Sequence, residues 1–243
     1  MIKCDTESRI CSVDGEASAL GLASGRQQTG FVVHYVGDPM CSWCWGISPA
    51  IAGLAAYCSA QGIDFVLTVG GLRAGGGDPW TEPFKAFLRK EWAHIQQVTG
   101  QPFGGDLLAR DTFNYDTEPS CRAVVTAAMM IKLQELETFT ALDFFRAVQY
   151  KFYVEGQDPT QPTFYQSVCG DLGLSFSEFA LLFDSPMMKR RVEQEFKSCR
   201  SWGVNAFPSI LVERKGSRAL LAVGEVSQAQ LIARLEETMR RAK

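Results

Sequence analysis

The chain has 243 residues, 46% of them hydrophobic and 21% charged, the balance of a globular protein with material for a large core. A net charge of -3 leaves no basic footprint for nucleic acid and no polybasic patch for a membrane, so neither partner is expected. No apolar run approaches the roughly 18 residues needed to cross a bilayer.

Residues 1–29 open the chain without the marks of a signal peptide. Their apolar stretch, Ala17 to Ala23, is short and interrupted by Ser18 and Gly21. Asp5, Glu7, Asp14 and Glu16 lie ahead of it, where a signal peptide carries positive charge. The segment reads as a poorly ordered leader or an added edge element, and a cytoplasmic location is expected. Its Cys4 and Cys11 are either a secondary redox pair or without a role.

Phe31 to Val36 (FVVHYV), bounded by Gly30 and Gly37, has the apolar, β-branched character of a buried parallel strand. After the loop Gly37-Asp38-Pro39-Met40 a helix is predicted to begin around Cys41 and Cys44. Ile47, Ile51, Leu54, Ala55 and Cys58 share one of its faces, and Pro49 is expected to kink it. Asp64 to Val69 (DFVLTV) is the second strand, ended by Gly70-Gly71. Strand, helix and strand make a βαβ unit with the two cysteines at its first junction.

Residues 72–200 carry helical patterns at about 84–97, 119–134, 137–153, 160–171 and 186–200. Strand character returns at Ser209 to Glu213, with a turn over Arg214 to Ser217 and a partner strand over Ala219 to Val223. A last helix starts at Ser227, with Gln230 placed for a capping box. The expected organisation is a leader (1–29), a β-α-β … β-β-α domain (30–71 and 201–243) and an inserted all-helical subdomain (72–200).

Eight cysteines stand at 4, 11, 41, 44, 58, 121, 169 and 199, and only Cys41 and Cys44 are close together. A chain with 16 Phe builds a core without a disulfide framework. Disulfide exchange needs a thiolate, and unpaired N–H groups at a helix N-terminus favour an anion there. Cys41 is therefore the candidate exposed nucleophile. Cys44, one turn further in, is the candidate resolving thiol. Zinc would need four ligands, but no second CxxC is present and the histidines are His34 and His94, so no metal is expected. His34 reads as a strand residue, and Cys58, Cys121, Cys169 and Cys199 read as inert core thiols.

DPMCSWCWG, Pro49 in the following helix, YDTEPSCRAV (Tyr115 to Val124) and WGVNAFPSILVE (Trp202 to Glu213) together resemble the DsbA-like branch of the thioredoxin superfamily. The resemblance covers about residues 30–240 and is nearest to FrnE-like members, described as predicted protein-disulfide isomerases. It implies the thioredoxin fold, thiol–disulfide oxidoreductase activity through Cys41 and Cys44, and no cofactor. It also implies a cis Pro208 facing the two cysteines, leaving the backbone of Phe207 free to pair with an extended substrate.

The intervening dipeptide, Ser42-Trp43, is neither the Pro-His of periplasmic DsbA nor the Gly-Pro of thioredoxin, so oxidase, reductase and isomerase directions stay open. Met40, Trp43 and Phe207 are candidates for an apolar substrate-binding patch, with Trp43 the most exposed and Trp45 in the core. Asp38 is a candidate proton relay, although a simple turn role is favoured for it. Expected partners are proteins carrying disulfides or dithiols, and a small-molecule thiol such as glutathione. Two rival readings remain. One is a glutathione-dependent small-molecule isomerase or transferase of the same fold, which the second cysteine argues against. The other is a non-catalytic redox-sensing or chaperone-like adaptor.

Overall fold

The computed structural model describes residues 3–5, 10–12, 30–136 and 138–242, the first two groups by their backbone alone. Two short strands come first, β1 (Lys3–Asp5) and β2 (Ile10–Ser12). Part of the expected leader is thus an added edge element; Ala17 to Ala23 lie outside the described residues. Then follow β3 (Phe31–Gly37), α1 (Ser42–Gly46), α2 (Ser48–Ala60) and β4 (Asp64–Val69). The helical stretch contains α3 (Glu82–Thr99), α4 (Glu118–Leu133), α5 (Ala141–Tyr153), α6 (Tyr165–Asp171), α7 (Phe176–Phe183) and α8 (Pro186–Ser201). The chain closes with β5 (Ala206–Phe207), β6 (Ser209–Arg214), β7 (Ser217–Val223) and α9 (Gln228–Arg241).

The main sheet has the order β4-β3-β6-β7. β3 runs parallel to β4 and antiparallel to β6, and β6 and β7 form a hairpin. β3 is buried along nearly its whole length, as a central strand covered on both faces must be. The hairpin turn is tighter than the predicted Arg214 to Ser217, because Lys215 (φ 52) and Gly216 (φ 78) both take positive φ, as a two-residue turn of type I′ requires. A second, small sheet has the order β1-β2-β5.

Local chemistry explains most helix ends. Thr81 caps α3 by accepting from Phe84 N–H, and Gly100 closes it in the left-handed region (φ 76). Thr140 and Asp143 form a capping box, so α5 begins at Ala141 rather than at residue 137. Ser227 and Gln230 form the predicted box of α9. A 3₁₀ turn, Pro162–Phe164, leads into α6. α7 was not expected; its cap Ser175 and apolar Phe176, Phe179 and Phe183 fit one short amphipathic helix.

Pro49 does not kink a continuous helix. The helix is interrupted at Ile47, and Pro49 sits in the first turn of α2, where a missing N–H leaves no intrahelical bond unmade. α2 and α9 pack together, α2 against β4 and α9 against β7; α4 and α8 also contact β4. α3 and α5 both lie against α1, so the helical stretch shares the core of the sheet and reaches over the cysteine pair.

Candidate active site

β3 delivers the chain to the loop Gly37-Asp38-Pro39-Met40. Gly37 is small for a reason: a β-carbon there would fall 2.6 Å from the Tyr35 hydroxyl. The loop is then tied down from several directions. The Asp38 carbonyl accepts from Cys41 N–H at 3.0 Å. The Asp38 carboxylate accepts from Met40 N–H at 2.8 Å and from Leu72 N–H at 2.7 Å. The Tyr115 hydroxyl donates to the Met40 carbonyl at 2.8 Å.

Cys41 is the N-cap of α1, with extended backbone (φ -88, ψ 117), and Cys44 lies one turn on. The Cys41 thiol donates to the Phe207 carbonyl at 3.7 Å across the fold. The Phe207–Pro208 peptide bond is cis. Pro208 is buried, and its carbonyl accepts from Gly224 N–H at 2.9 Å. The structure therefore brings Cys41, Cys44 and the Phe207-Pro208 segment to one place.

The ring of Phe207 points inward. It lies over Gly70, where a β-carbon would sit 2.1 Å from the ring, and Gly70 in turn donates to the Gly37 carbonyl at 2.8 Å. Gly71 follows in the left-handed region (φ 67). Gly70 is thus the floor on which Phe207 rests, while Gly71 packs against the ring of Phe196.

The expected apolar patch is not exposed. Met40 and Phe207 are 1% accessible and Trp43 is 0% accessible. Trp43 packs edge-on against His94 of α3, with ring centroids 5.9 Å apart, because α3 lies over the short helix. Trp45 is in the core as expected; its indole donates to the Pro102 carbonyl at 2.9 Å and its ring stacks on Tyr153. Nor is Cys41 exposed and Cys44 alone buried: both are fully buried.

Burial governs the ionisable groups here. It pushes the Cys44 thiol well up, and the adjacent Cys41 thiol adds to the effect. It pushes the Tyr35 hydroxyl up as well, with Cys44 contributing next. The Asp38 carboxyl is raised by burial against hydrogen bonds from Thr117, Met40, Leu72 and Cys121, the last at 3.4 Å. The favoured turn role of Asp38 holds, through its bond to Met40 N–H. Its buried position beside the thiols is a second property that a turn does not require.

The remaining thiols match the core reading. Cys58, Cys121, Cys169 and Cys199 are buried. Burial pushes Cys58 and Cys169 up to about 12 and Cys199 up to about 11. Cys121 is pushed well up by burial and then by Asp38. His34 sits in β3, and its Nε2 contacts the Glu213 carboxylate of β6 at 3.1 Å. Sequence pattern alone does not mark Tyr35, Gly70 or Cys121 as site residues; Tyr115 and Cys121 lie within a segment that carries the resemblance. Gly70 had a local signal, as a glycine pair ending a strand, but nothing local pairs it with Phe207.

No protein-family model matches the chain, and no curated protein does. Solved structures do. A candidate protein disulfide isomerase from Nitrosomonas europaea is 30% identical, with a TM-score of 0.78, over 88% of this chain and 99% of its own. The cytosolic disulfide reductase DsbM from Pseudomonas aeruginosa is 26% identical, with a TM-score of 0.69, over 86% of this chain and 99% of its own. The same protein with GSH gives 27% identity and a TM-score of 0.67 over the same shares. The oxidoreductase DsbA from Xylella fastidiosa shares the fold, with a TM-score of 0.53, at 13% identity, over 87% of this chain and 86% of its own. With the CxxC at a strand–helix junction and the cis-proline segment beside it, this chain belongs to the DsbA-like family of thioredoxin-fold proteins and is a thiol–disulfide oxidoreductase.

Proposed function

We propose that the chain is a cytoplasmic dithiol reductase that uses Cys41 as nucleophile and Cys44 as resolving thiol, with glutathione returning the pair to the dithiol. The observation that carries the division of labour is the contact of the Cys41 thiol with the Phe207 carbonyl at 3.7 Å. Cys41 thereby borders the backbone edge to which an extended substrate would pair, whereas Cys44 lies one turn inside.

In this scheme the Cys41 thiolate attacks one sulfur of a substrate disulfide, and the other sulfur leaves as a thiolate and takes a proton. Cys44 gives up its proton, attacks Cys41 and frees the second substrate thiol. The enzyme ends with a Cys41–Cys44 disulfide, and the substrate has gained two electrons and two protons. Two glutathione thiols then reverse the change and become glutathione disulfide. Because burial holds the Cys44 proton tightly, a base must take it, and Asp38 is the proposed relay. Pro208 is proposed to shield the sulfurs, having no N–H to compete for the thiolate.

The reductase direction is supported by the likeness to DsbM, a cytosolic disulfide reductase also known in complex with GSH. Among the described residues no helix is long and apolar enough to cross a membrane. The deciding measurement is the reduction potential of the Cys41/Cys44 pair against glutathione. A value near or below the cytosolic pool, about -220 to -260 mV by extraction, is expected; one near DsbA's, about -120 mV, would make the protein an oxidase.

A further inference from the structure

The small sheet contains a juxtaposition that the family chemistry does not require. β2 pairs antiparallel with β5, setting Cys11 opposite Phe207 and Ser12 opposite Ala206. β1 pairs with β2, setting Cys4 opposite Cys11. Cys4, Cys11 and Phe207 therefore form one cross-strand row, and the Phe207 carbonyl at its end is the group that the Cys41 thiol contacts. The edge proposed above for substrate is already paired, by a strand of this same chain. Cys41, Met40 and Phe207 are buried in that state.

We infer that Cys11 is a third redox-active cysteine: β2 occupies the substrate edge as an in-chain substrate, and Cys11 exchanges a disulfide with Cys41. The inference rests on the reading of Cys41 as the reactive thiol. Residues opposed in an antiparallel pair have Cα atoms about 4.5–5.5 Å apart. That lies within the roughly 4.4–6.8 Å spanned by a disulfide, so a register that opposes Cys4 to Cys11 is one that a disulfide can bridge.

The exchange balances without an outside reagent. The Cys11 thiolate attacks Cys41 of the Cys41–Cys44 disulfide; that S–S bond breaks, Cys44 leaves and takes a proton, and a Cys11–Cys41 disulfide forms. Cys4 then attacks Cys11 and releases Cys41, which takes the second proton. Two electrons and two protons have moved from the Cys4/Cys11 dithiol to the Cys41/Cys44 pair, leaving a Cys4–Cys11 disulfide at the edge of the small sheet. The chemical class of the third centre's own partner follows: a soluble dithiol or thiol able to reach that edge.

The test uses the full chain carrying Cys4→Ser and Cys44→Ser, which removes both resolving thiols. The variant is oxidised with limiting diamide, digested without reductant and mapped by mass spectrometry. A Cys11–Cys41 peptide is expected, with a yield unchanged on dilution, as an intramolecular reaction requires. No such peptide, or one whose yield falls on dilution, would overturn the inference. A second measurement follows iodoacetamide labelling of Cys41 in full-length Cys11→Pro and Cys11→Ala. Proline cannot donate to the ladder, so Cys41 should label faster in the proline variant, by about tenfold if strand pairing supplies the protection. Equal rates would show that β2 does not hold the edge. Glutathione-driven reduction of bis(2-hydroxyethyl) disulfide by the wild type separates the two readings. Turnover without the Cys11–Cys41 peptide removes the relay alone; no turnover removes the oxidoreductase reading on which it stands.

Discussion

The ring of Phe207 rests on the backbone of Gly70 so closely that a β-carbon at Gly70 would fall 2.1 Å from it. This contact, between the end of β4 and the segment before Pro208, sets the position of the Phe207 carbonyl and therefore of the Cys41 contact. Gly70→Ala should push the ring out and cost about 1–3 kcal/mol of stability, the usual range for overpacking. Urea unfolding measures the stability loss. If Gly70 acts through Phe207, KM for a peptide disulfide should also rise more than for a small disulfide that needs no edge pairing. Equal effects on both substrates would reduce Gly70 to a packing residue.

Cys44→Ser should retain the attack step and block resolution. Mixed disulfides with substrate or glutathione should then accumulate on Cys41, visible as a mass increase lost on reduction. Cys41→Ser should form none. Comparable adducts on both variants would sink the assignment of nucleophile and resolving thiol.

Native labelling with a brief, limiting dose of iodoacetamide after reduction should modify Cys41 among the described thiols. Cys41 is equally buried, but beside β5, whose pairing with the three-residue β2 opens locally; Cys58, Cys169 and Cys199 should remain unmodified at pH 8, because burial holds their thiols near about 12, 12 and 11. Cys121, raised further by burial and Asp38, should behave the same way. Peptide mapping gives the order directly, and labelling of Cys58 ahead of Cys41 would contradict it.

Glu195 of α8 contacts the end of β4, accepting from Val69 N–H at 2.9 Å. Burial pushes its carboxyl from 4.5 up to about 7, opposed by that bond and by Arg191. Since the folded value lies above the unfolded one, its contribution is complete below pH 4.5 and is lost as pH rises through about 7. The loss is on the order of 3 kcal/mol. Glu195→Gln keeps an acceptor for Val69 and cannot ionise, so it should be more stable than the wild type at pH 8 and similar at pH 5. Paired urea titrations at the two pH values check the difference; a pH-independent difference would mean that Glu195 does not titrate between them.

What the sequence determined by itself is what near neighbours encode. The strand before the CxxC, the position of Cys41 at a helix start, the helical character of the long middle stretch and the Ser227–Gln230 cap all follow from periodicity and capping over a few residues. Pro208 was legible through its resemblance, and the cis bond agrees with it. Local pattern also has a limit: it suggests one kinked helix where Ile47 separates two, it omits the short α7, and the two-residue β5 is too short to show a period.

Only the tertiary structure decided exposure and pairing. Trp43 and Met40 look available in a loop-and-helix motif, yet α3 and Tyr115, both from the helical stretch, close over them. Asp38 reads as a turn residue until Leu72 and Cys121 are brought to its carboxylate. The match of Gly70 to Phe207 and of Cys11 to Phe207 depends on which distant backbones meet. Burial and register are set by contacts between segments far apart in the chain, and no window of sequence contains both partners.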